Sequence, residues 1–235
     1  MKKISFFSSF FLHKTFTGFA KQAIVLASIF IFTITTNAQN NDAAYINTIT
    51  QRAQKIVATL GISDSTKFYT VQGIIVQQYQ NLNHHHNTFN QQVISIQSDS
   101  TINKQTASAS ISSIEEKRTQ FFAELHKKYI AQLQAELNAE QITKVKDGMT
   151  YNKVAVTYNG YCAMILNLTQ EQKTTIYNYL VEAREFAMDA ESSKKKDEWF
   201  GKYKGRINNY LSSQGYDLKK EGEEWQQRIK EAKSK

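Results

Sequence analysis

Residues 168–189, LTQEQKTTIYNYLVEAREFAMD, carry the pattern that decides the fold class. Thr169 is a residue type that caps helices, because its hydroxyl accepts a hydrogen bond from a backbone amide of the first turn. Apolar residues then recur at helical spacing, as at Ile176, Leu180 and Ala183, which places them on one face of a helix. The stretch therefore predicts an amphipathic helix that packs against other helices.

Capping residues followed by apolar residues at helical spacing recur along the rest of the chain, which contains no proline. Gly61 and Gly148 are expected to end two of these helices. We therefore expect an all-α fold, an antiparallel bundle of about six to seven helices joined by short connections. The residues predicted to cap further helices are Asp42, the cluster Ser63–Ser65, Asn138, Ser192 or Ser193, and Asp217.

Two stretches of the sequence lack this helical periodicity. Residues 98–110, SDSTINKQTASAS, contain almost no apolar side chains and predict a flexible connector. Residues 149–167 mix β-branched residues and tyrosines around the turn-like pair Asn159 and Gly160, which predicts a short hairpin or an irregular segment. Both stretches are expected to lie between the helices of a single domain that spans residues 39–235.

The N-terminal segment has the features of a cleaved signal peptide. Lysines without any acidic residue precede the apolar run AIVLASIFIFTITT, and small and polar residues around Ala38 form a cleavage site of the signal-peptidase type. The apolar run is too short for a membrane span, so we expect no stable membrane insertion once residues 1–38 are removed. The segment predicts an exported protein, located in the periplasm or outside the cell.

Removal of this segment takes away four lysines and lowers the formal net charge from +8 to +4. The remaining charges of both signs are dispersed, unlike the concentrated basic surface of a nucleic-acid-binding protein, so no nucleic-acid partner is expected. Cys162 is the one cysteine of the chain, which excludes an internal disulfide. Its apolar neighbours predict a small buried hydrophobe and not a reactive nucleophile.

Three consecutive histidines, His84 to His86, raise the question of a metal site. Neighbouring residues on a helix point in different directions, so these side chains cannot share one ion. Of the three, His86 falls on the apolar stripe of its helix, where a core histidine is expected. The sequence also lacks the HExxH or paired-cysteine spacings of metal sites, and we expect neither a metal nor a cofactor.

Glu182, Glu185 and Asp189 share one face of the helix that follows Thr169. Like charges at these spacings repel one another unless cations face them. Cations on the next predicted helix would meet the three acids if the two helices form an antiparallel hairpin. The alternative is that two of the carboxylates act as acid and base in glycoside cleavage.

Two stretches, 147–161 and 200–217, combine aromatic rings with basic and amide side chains. Sugars stack their C–H faces on aromatic rings, while their hydroxyls and carboxylates pair with Arg, Lys, Asn and Asp. The alternative is that the rings belong to the core and the cations neutralise nearby acids. The candidate carbohydrate contacts are Asp147, Tyr151, Tyr158, Tyr161, Lys202, Tyr203, Lys204, Arg206 and Asn209.

Three stretches together resemble one known family: DGMTYNKVAVTY (147–158), LTQEQKTTIYNYLVEAREFAMD (168–189) and FGKYKGRINNYLSSQGYD (200–217). It is the exported helical family of Bacteroidetes-type bacteria called DUF3826, a family of unknown function for which sugar binding has been suggested. Related elements at 52–67 and 76–83 extend the resemblance over most of the chain. The resemblance implies an all-α exported protein connected with polysaccharide use, and it carries over no catalytic residues.

The chemistry of these stretches and the resemblance together predict an exported, noncatalytic protein that binds carbohydrate. A first alternative is a periplasmic chaperone-like module, because LNLTQEQK (166–173) is similar to the LTxxQ helix starts of small periplasmic chaperones. A second alternative is a carbohydrate-active hydrolase or lyase that uses Glu182, Glu185 or Asp189.

Overall fold

The structure, a computed structural model, describes residues 42–234, and every regular element in this range is an α-helix. The all-α prediction is confirmed, with eight helices among residues 42–234. Within the described range, no helix is both long enough and apolar enough to cross a membrane. The helices are α1 (42–57), α2 (Ser65–Ser98), α3 (Lys104–Glu136), α4 (Ala139–Met149), α5 (Lys153–Met164), α6 (Gln170–Met188), α7 (Ser193–Ser213) and α8 (Leu218–Lys233).

The chain divides into two compact units, Met1–Thr48 and Ile49–Lys235. The first unit is described from residue 42 onward, where it forms the beginning of α1. The second unit contains the remainder of α1 and the helices α2 to α8. The predicted signal peptide and its cleavage site after Ala38 lie outside the described residues.

In the second unit, one apolar core lies between α1, α2, α3 and α4; we call it the N-terminal core. The helices α2 and α3 form a long antiparallel hairpin, in which the ring of His86 stacks on that of Phe122 at 4.0 Å. The side chain of Gln141 in α4 donates a hydrogen bond to the carbonyl of Leu60, 2.9 Å away, just beyond the end of α1. Core residues include Ala53, Val57, Val71, Ile75, Leu82, Tyr129, Leu133, Val145, Met149 and Met188.

A second apolar core, which we call the C-terminal core, lies between α5, α6 and α7. The guanidinium of Arg228 in α8 donates hydrogen bonds to the carbonyls of Ala163 and Met164, at 3.0 and 2.8 Å, and so ties α8 to the end of α5. Cys162 is half-buried and packs against this core. The core residues include Val154, Tyr161, Ile165, Ile176, Leu180, Ala183, Ala187, Phe200, Tyr203, Ile207 and Leu211.

The predicted connector 98–110 is much shorter in the structure. Residues 99–103 are nonhelical, Ser98 ends α2, and residues 104–110 form the first turns of α3. Asn103 caps this helix, since its side-chain oxygen accepts a hydrogen bond from the Thr106 amide at 2.9 Å. A single cap, followed by Gln, Ala and Ser, is sufficient to begin a helix that later packs against α2.

The hairpin or irregular segment expected at 149–167 is also wrong, because residues Lys153–Met164 form α5. Val154 and Tyr161 bury one face of α5 in the C-terminal core, and this packing outweighs the strand preference of its β-branched residues. Gly148 does not end α4, which continues to Met149.

The predicted caps at Asn138, Thr169, Ser192 and Asp217 are confirmed by side-chain hydrogen bonds to first-turn amides. At Thr169 the pattern is a capping box. The Thr169 hydroxyl accepts from the Gln172 amide at 3.2 Å, and the Gln172 side chain accepts from the Thr169 amide at 2.9 Å. This reciprocal pair explains the threonine and glutamine of the LTxxQ pattern by local helix chemistry alone.

Candidate functional site

A cavity of about 600 Å³ opens where α1, α2, α4 and the turn between α4 and α5 meet. Its volume lies within the range of small-molecule sites in proteins. Helix α1 contributes three residues and the turn after it one, α2 contributes one, and α4 with the following turn contributes the others. The lining residues are Arg52, Lys55, Ile56, Thr59, Tyr79, Lys144, Asp147, Gly148, Tyr151 and Asn152.

The close approach of α1 and α4 beside the cavity depends on Gly148. A Cβ atom at this position would lie 2.7 Å from Cγ1 of Ile56 and 3.2 Å from its Cγ2. These distances are shorter than normal contacts between carbon atoms. A side chain at position 148 would therefore push the two helices apart, so Gly148 sets the geometry of this wall.

The turn between α4 and α5 has an unusual backbone. Tyr151 and Asn152 are both left-handed, with φ values of 58° and 54°. Asn tolerates this conformation, but it is uncommon for a residue such as tyrosine. The turn is held by a hydrogen bond from the Asn152 amide to the Asp147 carbonyl at 2.8 Å and by one between the hydroxyls of Tyr151 and Ser193 at 2.7 Å. Strained backbone of this kind is concentrated at functional sites.

A buried arginine fixes the acidic residue of the cavity. Arg184 is 5% exposed, and its guanidinium donates to the carboxylate of Asp147 at 2.8 Å and to that of Glu185 at 3.2 Å. Glu185 also accepts from the ammonium of Lys146 at 2.6 Å. The charge of Asp147 is thus neutralised from inside the protein, and its carboxylate is held in place.

The basic residues of the cavity differ in their pairing. Lys144 forms an ion pair with Glu140 at 2.8 Å, one helical turn away. In residues 42–234, no carboxylate forms an ion pair with Arg52 or Lys55. The cavity therefore has more basic than acidic character.

Asp189, the residue that follows α6, contacts two histidines in different ways. Its carboxylate lies 2.6 Å from Nδ1 of His126, and its backbone carbonyl accepts a hydrogen bond from Nε2 of His86 at 2.7 Å. The guanidinium of Arg118 lies 2.8 Å from Nδ1 of His86. Because a guanidinium only donates, Nδ1 of His86 must be the acceptor, and the ring is neutral with its proton on Nε2.

These surroundings move the pKa values of the two histidines in opposite directions. Burial lowers the pKa of His86, and this effect outweighs its hydrogen bond to the Asp189 carbonyl. The hydrogen bond to the Asp189 carboxylate raises the pKa of His126. His86 is thus a core histidine with both nitrogens bonded, as its position on the apolar stripe predicted. Among the described residues, no group of His, Cys, Asp and Glu side chains is arranged to hold a metal ion.

A lysine donates hydrogen bonds to carbonyls in the last turn of α6. Lys196 of α7 is buried, and its ammonium donates to the carbonyls of Ala187 and Met188 at 2.9 and 3.1 Å. Carbonyls at the end of a helix have no partner within the helix, and a cation there also compensates the helix dipole. Burial lowers the pKa of Lys196 to about 8, and the positive charge of Arg52 acts in the same direction.

Two of the predicted carbohydrate contacts, Asp147 and Tyr151, line the cavity. Tyr161 and Tyr203 are instead 8% and 2% exposed and pack in the C-terminal core. The hydroxyl of Tyr161 donates to the side chain of Asn208 at 2.7 Å, and that of Tyr203 donates to Glu182 at 2.6 Å. Burial raises the pKa of each tyrosine to about 12. Their rings offer no face to a ligand in this structure.

The cations of α7 lie on another part of the surface. The guanidinium of Arg206 lies 3.3 Å from both carboxylate oxygens of Glu182 and stacks over the rings of Tyr179 and Tyr203, at 4.7 and 4.8 Å. The ammonium of Lys202 lies 5.0 Å from the centre of the Trp199 ring. Arg206 therefore pairs with an acid of α6. This is the alternative to ligand binding that was considered for the stretch 200–217.

The three other predicted contacts also lie away from the cavity. Lys204 and Asn209 are exposed residues of α7. Tyr158 of α5 is half-buried and meets the ring of Tyr177 edge to face, with 5.7 Å between ring centres. The structure thus brings two of the nine predicted contacts to the cavity.

The acids considered for catalysis do not line the cavity either. Glu182 pairs with Arg206, Glu185 with Lys146 and Asp189 with His126. The hydrogen bond from Tyr203 lowers the pKa of Glu182, which keeps this carboxylate ionised. Each acid serves to join α6 to a neighbouring helix.

Most of the cavity could not be predicted from the sequence, because its wall combines three separate segments. One signal was present: Arg52, Lys55 and Thr59 recur at spacings of three and four, which predicts a polar stripe beside the apolar stripe of the first predicted helix. In α4, Lys144 and Gly148 are four residues apart and likewise share one helix face. Such a stripe indicates a shared helix face but not which other helix it meets.

The fold and cavity define an all-α protein with a basic, tyrosine-containing cavity beside a strained turn. The sequence matches the family described as Protein of unknown function (DUF3826) over residues 46–231, and the chain belongs to this family. It matches none of the curated proteins.

Proposed function

We propose that this protein is exported and binds carbohydrate, without cleaving it, in the cavity between α1, α2 and α4. One observation carries the proposal: tyrosines, hydrogen-bonding side chains and a strained turn surround the same space of about 600 Å³. Tyr79 and Tyr151 provide aromatic rings for the apolar faces of sugars. Thr59 and Asn152 provide a hydroxyl and an amide for sugar hydroxyls.

The strained turn supports a binding role in particular. Tyr151 is 46% exposed. Burial of its ring in a core therefore does not account for its left-handed backbone. The hydrogen bond between Tyr151 and Ser193 instead fixes the position of the ring at the cavity. A ring held in place before binding loses less conformational entropy when a ligand stacks on it.

The positions of the acids support a binding role without glycoside hydrolysis. Glycoside hydrolysis normally requires two carboxyl groups on opposite sides of the scissile bond. Among the cavity residues, Asp147 is the one acid, and Arg184 pairs with it. The chaperone alternative gains no support from LTxxQ, because the capping box at Thr169 explains that pattern.

Titration calorimetry of the protein of residues 39–235 with a panel of plant and bacterial oligosaccharides tests the proposal. We expect at least one oligosaccharide to bind, and Tyr151→Leu to weaken this binding on the order of tenfold by removing the stacking ring. Tyr69→Leu is the matched control, since Tyr69 is a 68% exposed tyrosine of α2 outside the cavity lining.

Circular dichroism would verify that both variants remain helical. A folded protein that binds none of the panel would contradict the proposal. So would a ligand whose affinity is unchanged by Tyr151→Leu, because such a ligand would occupy another site.

A further inference from the structure

The charges that line the cavity are unbalanced, and the imbalance has a defined position. Arg52, Lys55 and Lys144 face one acid, Asp147. Asp147 is already neutralised by Arg184, and Lys144 is already paired with Glu140. The excess charge therefore lies on Arg52 and Lys55, which have no ion-pair partner among residues 42–234.

Arg52 and Lys55 lie three residues apart on α1, so their side chains share one helix face. Two like charges at this spacing repel each other and do not stabilise the helix. The charge of Arg52 also acts against the protonated form of the buried Lys196. The pair thus opposes folding to a small extent, and an anion between the two side chains would remove the repulsion.

We infer that the ligand is an acidic carbohydrate whose anionic group binds between Arg52 and Lys55, while its sugar rings contact Tyr79 and Tyr151. This inference rests on the proposed function and specifies its ligand class. A guanidinium pairs with the two oxygens of a carboxylate or sulfate by parallel hydrogen bonds, and the ammonium of Lys55 adds a point charge. Thr59, just beyond the end of α1, lines the same wall and supplies a hydroxyl for a neighbouring sugar hydroxyl.

The two sources of the anionic group are a uronic acid and a sulfate ester. Oligogalacturonate and oligoalginate provide carboxylates, and their methyl esters provide neutral molecules with the same backbones. Oligosaccharides of carrageenan provide sulfates, and their desulfated forms are the neutral counterparts. Titration of the protein with each pair at low and high salt separates charge recognition from recognition of the sugar rings.

We expect one acidic member to bind on the order of tenfold more tightly than its neutral counterpart, with an affinity that falls as salt is added. The double variant Arg52→Gln, Lys55→Gln should lose this preference. Lys127→Gln, Lys128→Gln is the control, since it removes the same charge from exposed positions of α3.

The possible outcomes separate this inference from the proposed function. Equal binding of acidic and neutral members overturns the inference and leaves carbohydrate binding in place. An acidic preference that survives the Arg52 and Lys55 double variant, or is lost equally in the α3 control, also overturns it. If the folded protein binds no acidic or neutral oligosaccharide, both the inference and the proposed function fail.

Discussion

Gly148 of α4 lies so close to Ile56 of α1 that a Cβ atom at position 148 would come within 2.7 Å of the Ile56 side chain. Both residues line the cavity. The Ile56 side chain is buried in the N-terminal core and cannot move freely. The contact between these two residues therefore determines how far apart the two main walls of the cavity lie.

Gly148→Ala should lower the free energy of unfolding by about 1–3 kcal/mol, because the added methyl group overpacks the contact with Ile56. Chemical denaturation measures this change. The control is Gly73→Ala in α2, where a Cβ atom would meet nothing within 4 Å. That exchange should stabilise the protein by up to about 1 kcal/mol, since alanine favours the helix.

The same variant should also weaken binding of any ligand that occupies the cavity, since the walls must move to accommodate the methyl group. Titration calorimetry compares Gly148→Ala with Gly73→Ala and the original protein. If both alanine variants were equally stabilised, the close contact between Gly148 and Ile56 would not exist in solution.

The turn at Asn152 allows backbone strain and ligand contact to be separated. Asn152→Gly and Asn152→Ala both remove the amide side chain from the cavity, and both should therefore weaken ligand binding to a similar extent. They should differ in stability by roughly 1 kcal/mol in favour of glycine, because alanine is strained in the left-handed conformation. Thermal denaturation and calorimetry measure the two effects. Full affinity in Asn152→Gly would show that the amide does not contact the ligand.

The sequence was sufficient for the local features of this fold. Caps such as Thr169 and Asn138 depend on a few neighbouring residues, and the apolar spacing of α6 is determined by the helix itself. Helix α5 was missed because its sequence, rich in valine, threonine and tyrosine, has no helical period of its own. Its helical state depends on burial of Val154 and Tyr161 against α6 and α7, which is a tertiary effect.

The candidate site was only partly predictable for a related reason. Asp147 and Tyr151 belong to one short stretch, and both were found. Arg52 and Tyr79 reach the same cavity from other helices, and no spacing within the chain shows that these helices meet. The aromatic and basic stretch 200–217 matched the chemistry of sugar binding, but pairing with α6 uses the same residue types.

The contact between Asp189 and His126 predicts a pH-dependent stability. The pKa of His126 is raised above its ordinary value of 6.5, so the stabilisation is fully present below pH 6.5 and is lost as the pH rises through the pKa of the folded protein. Asp189→Asn removes the carboxylate but retains the carbonyl that binds His86. The variant should therefore be less stable than the original protein in mildly acid solution, with a difference that shrinks as the pH rises.

Denaturation at a series of pH values measures this difference, and NMR titration of the His126 ring measures its pKa directly. In Asp189→Asn the pKa of His126 should fall, whereas that of His86 should change little. A stability difference that is constant with pH, or a pKa of His126 that is unaltered, would contradict the assigned pairing.

Tyr203 and Arg206 should matter for stability and not for ligand binding in the cavity. Tyr203→Phe leaves the buried ring in place and removes its hydrogen bond to Glu182, which should cost about 1 kcal/mol of unfolding free energy. Arg206→Ala removes an exposed ion pair and should have a smaller effect. Calorimetry should give an unchanged ligand affinity for both variants. A large loss of affinity in either variant would indicate that the ligand binds at the surface of α7.

The last turn of α6 connects the two apolar cores. Ala187 belongs to the C-terminal core and Met188 to the N-terminal core, and Lys196 of α7 holds the carbonyls of both. Separation of the cores would withdraw the fully buried Met188 side chain from the N-terminal core and expose it to water. Partial opening of one half is thus disfavoured, and the slowest-exchanging amides of α3 and α7 should report the same free energy of global unfolding.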